Sequence, residues 1–446
     1  MLPITGIPET IAKGMAGFRD LFCRKEGFEH LTRYVTGLIL SPNKTLQGIY
    51  GLHVWDRDTP SRRAMHEAVF EAGWDSQELM KRHRSHVARD HRGHGRDVIS
   101  LDWTLAHHER GPRIFGVDLA DDDVKKRTSR CQTVVTAVIS NRRVIDGLEV
   151  IVQEPKALKE EIAYLEETSK DSYTQMEEAR KRVLELLYHR QHQLEYRQRT
   201  EIAWELVQQL EEEGQFPQAH YAFDTGVLTL DLTRYLESRG KHWVSELECS
   251  RNIQWYGQWR RVDLVAAELK RDHPESFRPV TVRCRNGEIK QFLAFTKTVR
   301  LKRFGRKRLV IVHEKQDLAD APRFLVTDAR HWESGRVVET WSYRWASEIF
   351  HEFGKQVTGL EAAQVRKEEA VTRHFRLSGA AQSIIQRAPV QQSTSEKYAF
   401  AGGQITVGQK WRAIGREVMR SLLELIKQLF AEGKSCEELL EVLMPA

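Results

Sequence analysis

HYAFDTGVLTLDLTRYLESRGKHWVSELE, residues 220–248, reads as a strand, a helix and a second strand in quick succession. The apolar and aromatic run HYAF predicts a strand that ends at Asp224, and Thr225-Gly226 supplies the turn. TLDLTRYLESRG has the spacing of a helix, and KHWVSELE returns to a strand pattern. Upstream, DVISLDWT (97–104), RIFGVDL (113–119) and CQTVVTAVIS (131–140) are rich in Val, Ile and Thr and are separated by polar turns. Between the two groups runs a long charged stretch, from Lys156 to Gln215, that predicts two or more helices. Its last part, TEIAWELVQQLEEEG, keeps an apolar stripe at Ile202, Leu206 and Leu210.

Three strands, helix, strand, helix, strand is the order of a ribonuclease-H-like α/β fold. In such a sheet the first strand neighbours the fourth, which brings Asp102 (in SLDWT) beside Asp224. A third group lies far downstream in TWSYRWASEIFHEFGK, residues 340–355, read as one helix. Relative to Glu348, Trp341 then sits at about +20°, Arg344 at about −40° and Lys355 at about −20°. One stripe presents an aromatic ring, a guanidinium, a carboxylate and an ammonium, a set suited to a metal-bound phosphate chain. Asp102, Asp224 and Glu348 together are hard oxygen ligands for Mg²⁺ or Mn²⁺. Two ions about 3.5–4 Å apart would activate a water or 3′-hydroxyl and stabilise the leaving oxygen of an in-line phosphoryl transfer. Asp118, Asp121, Asp122, Asp123, Asp231 and Glu352 read as solvated carboxylates by comparison.

The 446-residue chain has 40% hydrophobic and 30% charged residues, enough for several structural units. Its net charge of +6 does not by itself establish a nucleic-acid partner, so the distribution of charge matters more. Cys23, Cys131, Cys249, Cys284 and Cys436 are scattered singly, which argues against a disulfide framework or a cysteine-rich zinc module. With no secretory signal pattern and no apolar run long enough for a membrane span, the expected location is the cytoplasm.

Residues 1–95 read as helical, with starts at Ser41-Pro42, at Thr59-Pro60-Ser61 and at Asp75-Ser76. The second start leads into Arg62 and Arg63, and the series reads either as a helix-turn-helix-like DNA reader or as a small helical domain with solvated arginines. KRHRSHVARDHRGHGR (81–96) carries His83, His86, His91 and His94; it reads as a basic connector along phosphates or a solvated linker, while an all-histidine zinc site is an unusual ligand set. Residues 249–336 read as β-rich, with strands in RPVTVRCR, EIKQFLAFTKTV, RLVIVHEK and RFLVTDA. Within them Lys297, Arg300, Lys302, Arg303, Arg306, Lys307 and Arg308 crowd around a hairpin turn at Gly305. This run is either a DNA-backbone clamp or an edge hairpin whose charges prevent aggregation. QRAPVQQSTSEKYAFAGGQ reads as a loop, and the last stretch as an amphipathic helix that docks on the core or mediates self-association.

The run Trp341-xx-Arg344-xxx-Glu348-xxxxxx-Lys355 resembles the Y-R-E-K signature of a large group of DDE transposases from bacterial insertion sequences. The regions around Asp102 and Asp224 resemble the surroundings of that group's two aspartates. The resemblance spans roughly residues 30 to 360. It implies a metal-dependent DNA transposase of bacterial source that binds terminal inverted repeats and cuts and joins DNA by a cut-and-paste route, as a dimer on two ends, associated with the nucleoid when DNA-bound. It further implies that Asp102, Asp224 and Glu348 hold two Mg²⁺ ions (Mn²⁺ substituting), while Arg344 and Lys355 grip phosphates near the cut. One position departs from the signature: Trp341 replaces its tyrosine, so a ring remains for stacking but the phenolic hydroxyl is lost. The expected units are an N-terminal helical DNA-binding domain (1–95), the first part of the core (96–248) with a helical excursion at about 156–198, a β-rich insertion (249–336), a catalytic helix (337–360) and a C-terminal helical region (361–446). The rival readings are a catalytically silent DNA-binding protein derived from a transposase, and a stand-alone ribonuclease-H-like nuclease.

Overall fold

The computed structural model describes residues 3–53, 61–93, 95–108, 111, 114–122, 126–155, 196–285, 287–390 and 405–444. His94, Asp123, nearly all of the predicted excursion at 156–198 and most of the predicted loop before the last helix lie outside these residues. The first strands are β1 (Val98–His107), β2 (Val117–Asp122), β3 (Arg127–Ser140) and β4 (Ile145–Val152). Next come β5 (His220–Phe223), β6 (Trp243–Glu246), β7 (Asn252–Trp255) and β8 (Gln258–Arg261). The last four are β9 (Arg278–Arg283), β10 (Ile289–Leu301), β11 (Gly305–His313) and β12 (Arg323–Thr327). All twelve join one sheet of order β2-β3-β1-β5-β6-β12-β11-β10-β7-β8, with β4 paired to β3 and β9 to β10.

The segment β4-β3-β1-β5-β6 is antiparallel up to β1 and parallel from β1 through β6, consistent with a ribonuclease-H-like sheet. Its third strand is not the one expected from sequence. Of RIFGVDL only Val117–Leu119 enter a strand, β2, which pairs only with the outer end of β3, whereas IDGLEVIV forms β4 along the inner end. Asp146, Gly147 and Glu149 make that run look like a loop, yet each is buried for a reason. Asp146 meets Arg387 at 2.7 Å and His91 at 3.0 Å; Glu149 binds Arg84 and Arg376, both at 3.0 Å. Partnered charges of this kind tolerate burial that a lone carboxylate would not.

The β-rich residues are continuous with this core, because β12 pairs antiparallel with β6. They also contain a helix, Val262–Asp272, whose Val262, Val265, Ala266 and Leu269 have helical spacing. The hairpin β10–β11 is as expected, turning through Lys302–Phe304.

The N-terminal helices are α1 (Glu9–Met15), α2 (Lys25–Leu40), α3 (Leu46–Leu52), α4 (Arg62–His66) and α5 (Ser76–His91). The cap of α3 is Thr45, whose hydroxyl accepts from Gly48 at 3.0 Å; Ser41 instead ends α2. Asp75 caps α5 as expected. After the sheet begins come α6 (Arg199–Glu213), α7 (Leu230–Ser238), α8 (Val262–Asp272), α9 (Ser334–Ser342) and α10 (Trp345–Gln356). The chain closes with α11 (Glu368–Gln386), α12 (Val407–Ala431) and α13 (Cys436–Leu443). Ile11, Leu31, Val35, Ile49 and Val69 share one core with Leu377, Ala381, Ile385 and Ile414, so N- and C-terminal helices pack as a unit. Helix α12 docks through Ile414, Val418 and Leu422 and leaves Leu423 and Phe430 exposed.

The basic run at 81–91 is part of α5 and is not a connector. Arg84 is buried between Glu149 and Glu213, and His83 contacts the Gly147 carbonyl at 2.9 Å. His91 lies between Asp97 (2.8 Å) and Asp146 (3.0 Å), while His86 packs on Phe18. These histidines therefore face separate partners. Burial opposes the charge on His91, but the hydrogen bonds and charges of Asp146 and Asp97 outweigh it and push its pKa up to about 9. Because this is above the unfolded value of about 6.5, the stabilisation is complete below that pH and is lost as pH rises through about 9. We expect His91→Gln to lower stability by on the order of 1–3 kcal/mol at pH 6 and by much less at pH 10, as read by denaturant unfolding at both pH values.

Candidate active site

Helix α10 is amphipathic, with Ala346, Ser347, Phe350, His351 and Gly354 buried against the sheet. The Phe350 ring occupies the space over Gly147 of β4, where an added Cβ would lie 2.6 Å from it. Burying such a ring stabilises by roughly 1.5–3 kcal/mol. Two polar contacts set the helix along the sheet. The Ser347 and Ser100 hydroxyls meet at 2.6 Å, and Ser100 also donates to the Val138 carbonyl at 3.2 Å. His351 Nε2 meets the Thr136 hydroxyl at 2.8 Å, which in turn reaches the Asp102 carbonyl at 3.3 Å. Burial pushes the His351 pKa down to about 3, so the imidazole is neutral; as the Nε2–H tautomer it donates to Thr136.

This seating brings the three carboxylates to one end of the core. Leu101 pairs with Phe223 in the parallel β1–β5 ladder, so the next step along both chains sets Asp102 beside Asp224. Adjacent strands run about 4.8 Å apart. Asp224 leaves β5 in a turn, its Oδ1 accepting from Gly226 at 3.0 Å and Val227 at 3.3 Å. Arg344 ties Asp102 to Glu348: its Nη1 is 3.4 Å from Asp102 Oδ2 and its Nη2 donates to Glu348 Oε1. Burial raises the Asp102 pKa to about 7, with further upward pushes from the charges of Asp224 and Glu348; the Trp103 amide and Arg344 oppose them. Burial is the larger cause and the neighbouring carboxylates add to it, and a bound cation would offset both. The donor set therefore fits a hard divalent cation. As the side chains stand, no group of three His, Cys, Asp or Glu among the described residues has the spacing to hold a metal.

The stripe expected on one helix is divided between two. Tyr343 and Arg344 form a tight joint, with Arg344 N bonding to Trp341 O at 2.9 Å and Ser347 N to Arg344 O at 3.0 Å. Such i→i−3 steps advance about 120° per residue instead of about 100°, which carries Trp341 off the stripe. Trp341, in α9, packs against the core that includes Val244, Phe292, Val310 and Val338, with Arg323 over its ring at 5.0 Å and Arg344 at 5.8 Å. The aromatic that faces solvent beside the carboxylates is Trp345, 57% exposed and one turn before Glu348. Sequence reading passed over it because the signature drew attention to Trp341. Lys355 stays on the stripe, but its Nζ donates to the Leu105 carbonyl at 2.7 Å and lies 3.2 Å from Glu361.

Other expected positions divide similarly. Arg62 is exposed at the start of α4, and Arg63 pairs with Glu67 at 2.7 Å. In the β10–β11 hairpin Arg300 and Arg306 sit opposite each other and exposed, with Lys302 and Arg303 exposed at the turn. Lys307 instead points inward and pairs with Glu237 at 2.9 Å; Arg308 donates to the Arg330 carbonyl. Lys297 lies over the rings of Trp255 and Tyr256, at 4.1 and 4.4 Å. Asp122, expected in a solvated turn, is buried against His107 Nε2 at 2.7 Å.

A family model described as "DDE superfamily endonuclease" matches residues 17–275, more than half of the chain. The match includes Asp102 and Asp224 and ends before Glu348, which Arg344 links to Asp102. No curated protein matches the chain. No helix among the described residues is long and apolar enough to cross a membrane.

The turn that aims Asp224 depends on Gly226, where an added Cβ would lie 2.6 Å from the Trp103 ring, itself held under Arg199 at 4.3 Å. We expect Gly226→Ala to cost about 1–3 kcal/mol of stability through this overlap. Thermal unfolding checks it, and Trp103→Leu in the same chain should recover part of the loss.

Proposed function

We infer that this chain, which belongs to the DDE superfamily of endonucleases, is a transposase that cuts at transposon ends and joins them to a target by a cut-and-paste route. The observation that carries this reading is the placing of Asp224 beside Asp102, and of Arg344 between Asp102 and Glu348, from positions more than a hundred residues apart. In this reading Asp102, Asp224 and Glu348 hold Mg²⁺ or Mn²⁺. Bound there, two such cations would favour deprotonation of an attacking water or DNA 3′-hydroxyl and would offset the charge that develops on the leaving oxygen.

The protein's own part is positional. The buried serine pair and the Thr136–His351 contact hold Asp102 and Glu348 in fixed relation, which sets the line of attack on the phosphate. Arg344 and Lys355 lie on the carboxylate side of α10 to take phosphate oxygens, and Trp345 offers a face for stacking a base or sugar. Arg300 and Arg306 support a DNA-backbone role for the hairpin. Like charges set directly across a ladder are unfavourable unless an anion lies over them. With Lys302 and Arg303 they form the clamp, while Arg62 and Arg63 are the N-terminal candidates for end recognition. A dimer on two DNA ends completes the reading.

Asp102→Asn and Glu348→Gln are each expected to lower Mg²⁺-dependent cleavage of end-bearing duplex by at least about 10³-fold while leaving DNA binding within a few-fold. Full cleavage by either variant would overturn the assignment of these carboxylates. Strand transfer of pre-cut ends distinguishes a transposase from a hydrolytic nuclease, which would leave the ends unjoined. Arg300→Ala should reduce the slope of log affinity against log salt by about one. Lys307→Ala should leave that slope unchanged, because Lys307 faces Glu237.

A further inference from the structure

We propose that Arg344 is a resident cation of the DNA-free active site, holding Asp102 and Glu348 together until divalent metal displaces it toward DNA phosphate. The proposal rests on the assignment of those two carboxylates as metal ligands. The guanidinium reaches both at once, with Nη1 on Asp102 Oδ2 and Nη2 on Glu348 Oε1. It thereby occupies the place between ligands that a shared cation would need, and the carboxylates reach no three-ligand spacing around it.

The bridge differs from the structural arginine pairs of this protein. Arg84 is enclosed by Glu149, Glu213 and the Leu148 carbonyl, and its Nε, Nη1 and Nη2 all donate. Arg344 Nε is buried and has no hydrogen-bond partner among the described residues. Its backbone lies at the joint between α9 and α10, and Glu348 is about one-third exposed. Arg344 also lies over the Trp341 ring at 5.8 Å, but with one nitrogen unpaired and Glu348 open to solvent its bridge is less completely satisfied than that of Arg84 and is the weaker of the two.

Charge supplies the direction of the exchange. Three carboxylates and one guanidinium leave a net negative site, which attracts a divalent cation. Once cations neutralise the carboxylates, the guanidinium faces like charge and its favourable partner becomes a phosphate oxygen. Lys355, held by Leu105 and Glu361, is a cation of the same helix whose partner is not one of these ligands. It therefore separates release of a bridge from simple loss of positive charge.

The test is a titration of the full-length protein with Mn²⁺ alone, without DNA, following free Mn²⁺ by electron paramagnetic resonance. Arg344→Gln is expected to bind Mn²⁺ about tenfold more tightly than the parent, within the usual range of linked equilibria. Arg344→Lys keeps the charge but cannot span both carboxylates, and it should also bind more tightly, to a smaller degree. Lys355→Gln should change the affinity by less than about twofold. Unchanged affinity in both Arg344 variants, or an equal gain in Lys355→Gln, overturns the proposal. Asp102→Asn and Glu348→Gln provide the separate control. If they leave Mn²⁺ binding intact, the ligand assignment itself fails; if they abolish it while the Arg344 variants match the parent, only the bridge fails. Thermal unfolding confirms that each variant is folded.

Discussion

The contact between the Ser100 and Ser347 hydroxyls joins the central strand of the sheet to the helix that carries Glu348. Both side chains are fully buried; Ser100 donates to the Val138 carbonyl and accepts from Ser347, and burying the Ser347 hydroxyl without this partner would cost about 1–3 kcal/mol. This requirement fixes the helix along the strand, while Phe350 over Gly147 fixes its depth. Depth and register together determine where Glu348 lies relative to Asp102. The small side chains at 100, 147 and 347 are therefore as much a part of the site as the carboxylates.

Charge is handled differently in the core and at the site. In the core, Arg84, His91, Arg376 and Arg387 close on Glu149, Glu213, Asp97 and Asp146 with short contacts from several sides. At the site, Asp102 and Glu348 share Arg344, Asp224 stands beside Asp102 with its own turn for a partner, and Asp102 is pushed toward its neutral form. The first arrangement holds helix α5 and helix α11 against β4. The second leaves negative charge in surplus, which is the condition for attracting a metal ion.

The sheet continues past the ribonuclease-H-like core, so the arginine-bearing hairpin is joined to the end of the core that bears the three carboxylates through β6, β12 and β11. Strand alternation then sorts its basic residues. Arg300 and Arg306 face outward, whereas Lys307, one step along, turns inward to Glu237. Composition shows the density of positive charge in this run, and the period of two decides which charges reach a partner.

Much of this was legible in the chain itself. The strand–helix–strand run around Asp224, the strand containing Asp102 and the hairpin at Gly305 follow from local periodicity and turn chemistry, which act over a few residues. The candidate carboxylates, too, stood out from spacing and from the signature-like stripe. Three features depended on contacts distant in sequence. Strand β4 is absent from the strands expected from sequence, because Asp146, Gly147 and Glu149 fit a strand only once they meet their partners in α5, α10 and α11. The basic run at 81–91 reads as a connector until Glu149, Asp146 and Glu213 neutralise it. Trp341 belongs to the stripe only on an unbroken helix, and the joint at Tyr343–Arg344 leaves Trp345 as the exposed ring. Sequence by itself determined the elements and the chemical types available to the site, because these depend on neighbours along the chain. Tertiary structure decided which charges are buried, which are exposed and which meet, because burial and pairing depend on residues that the sequence places far apart.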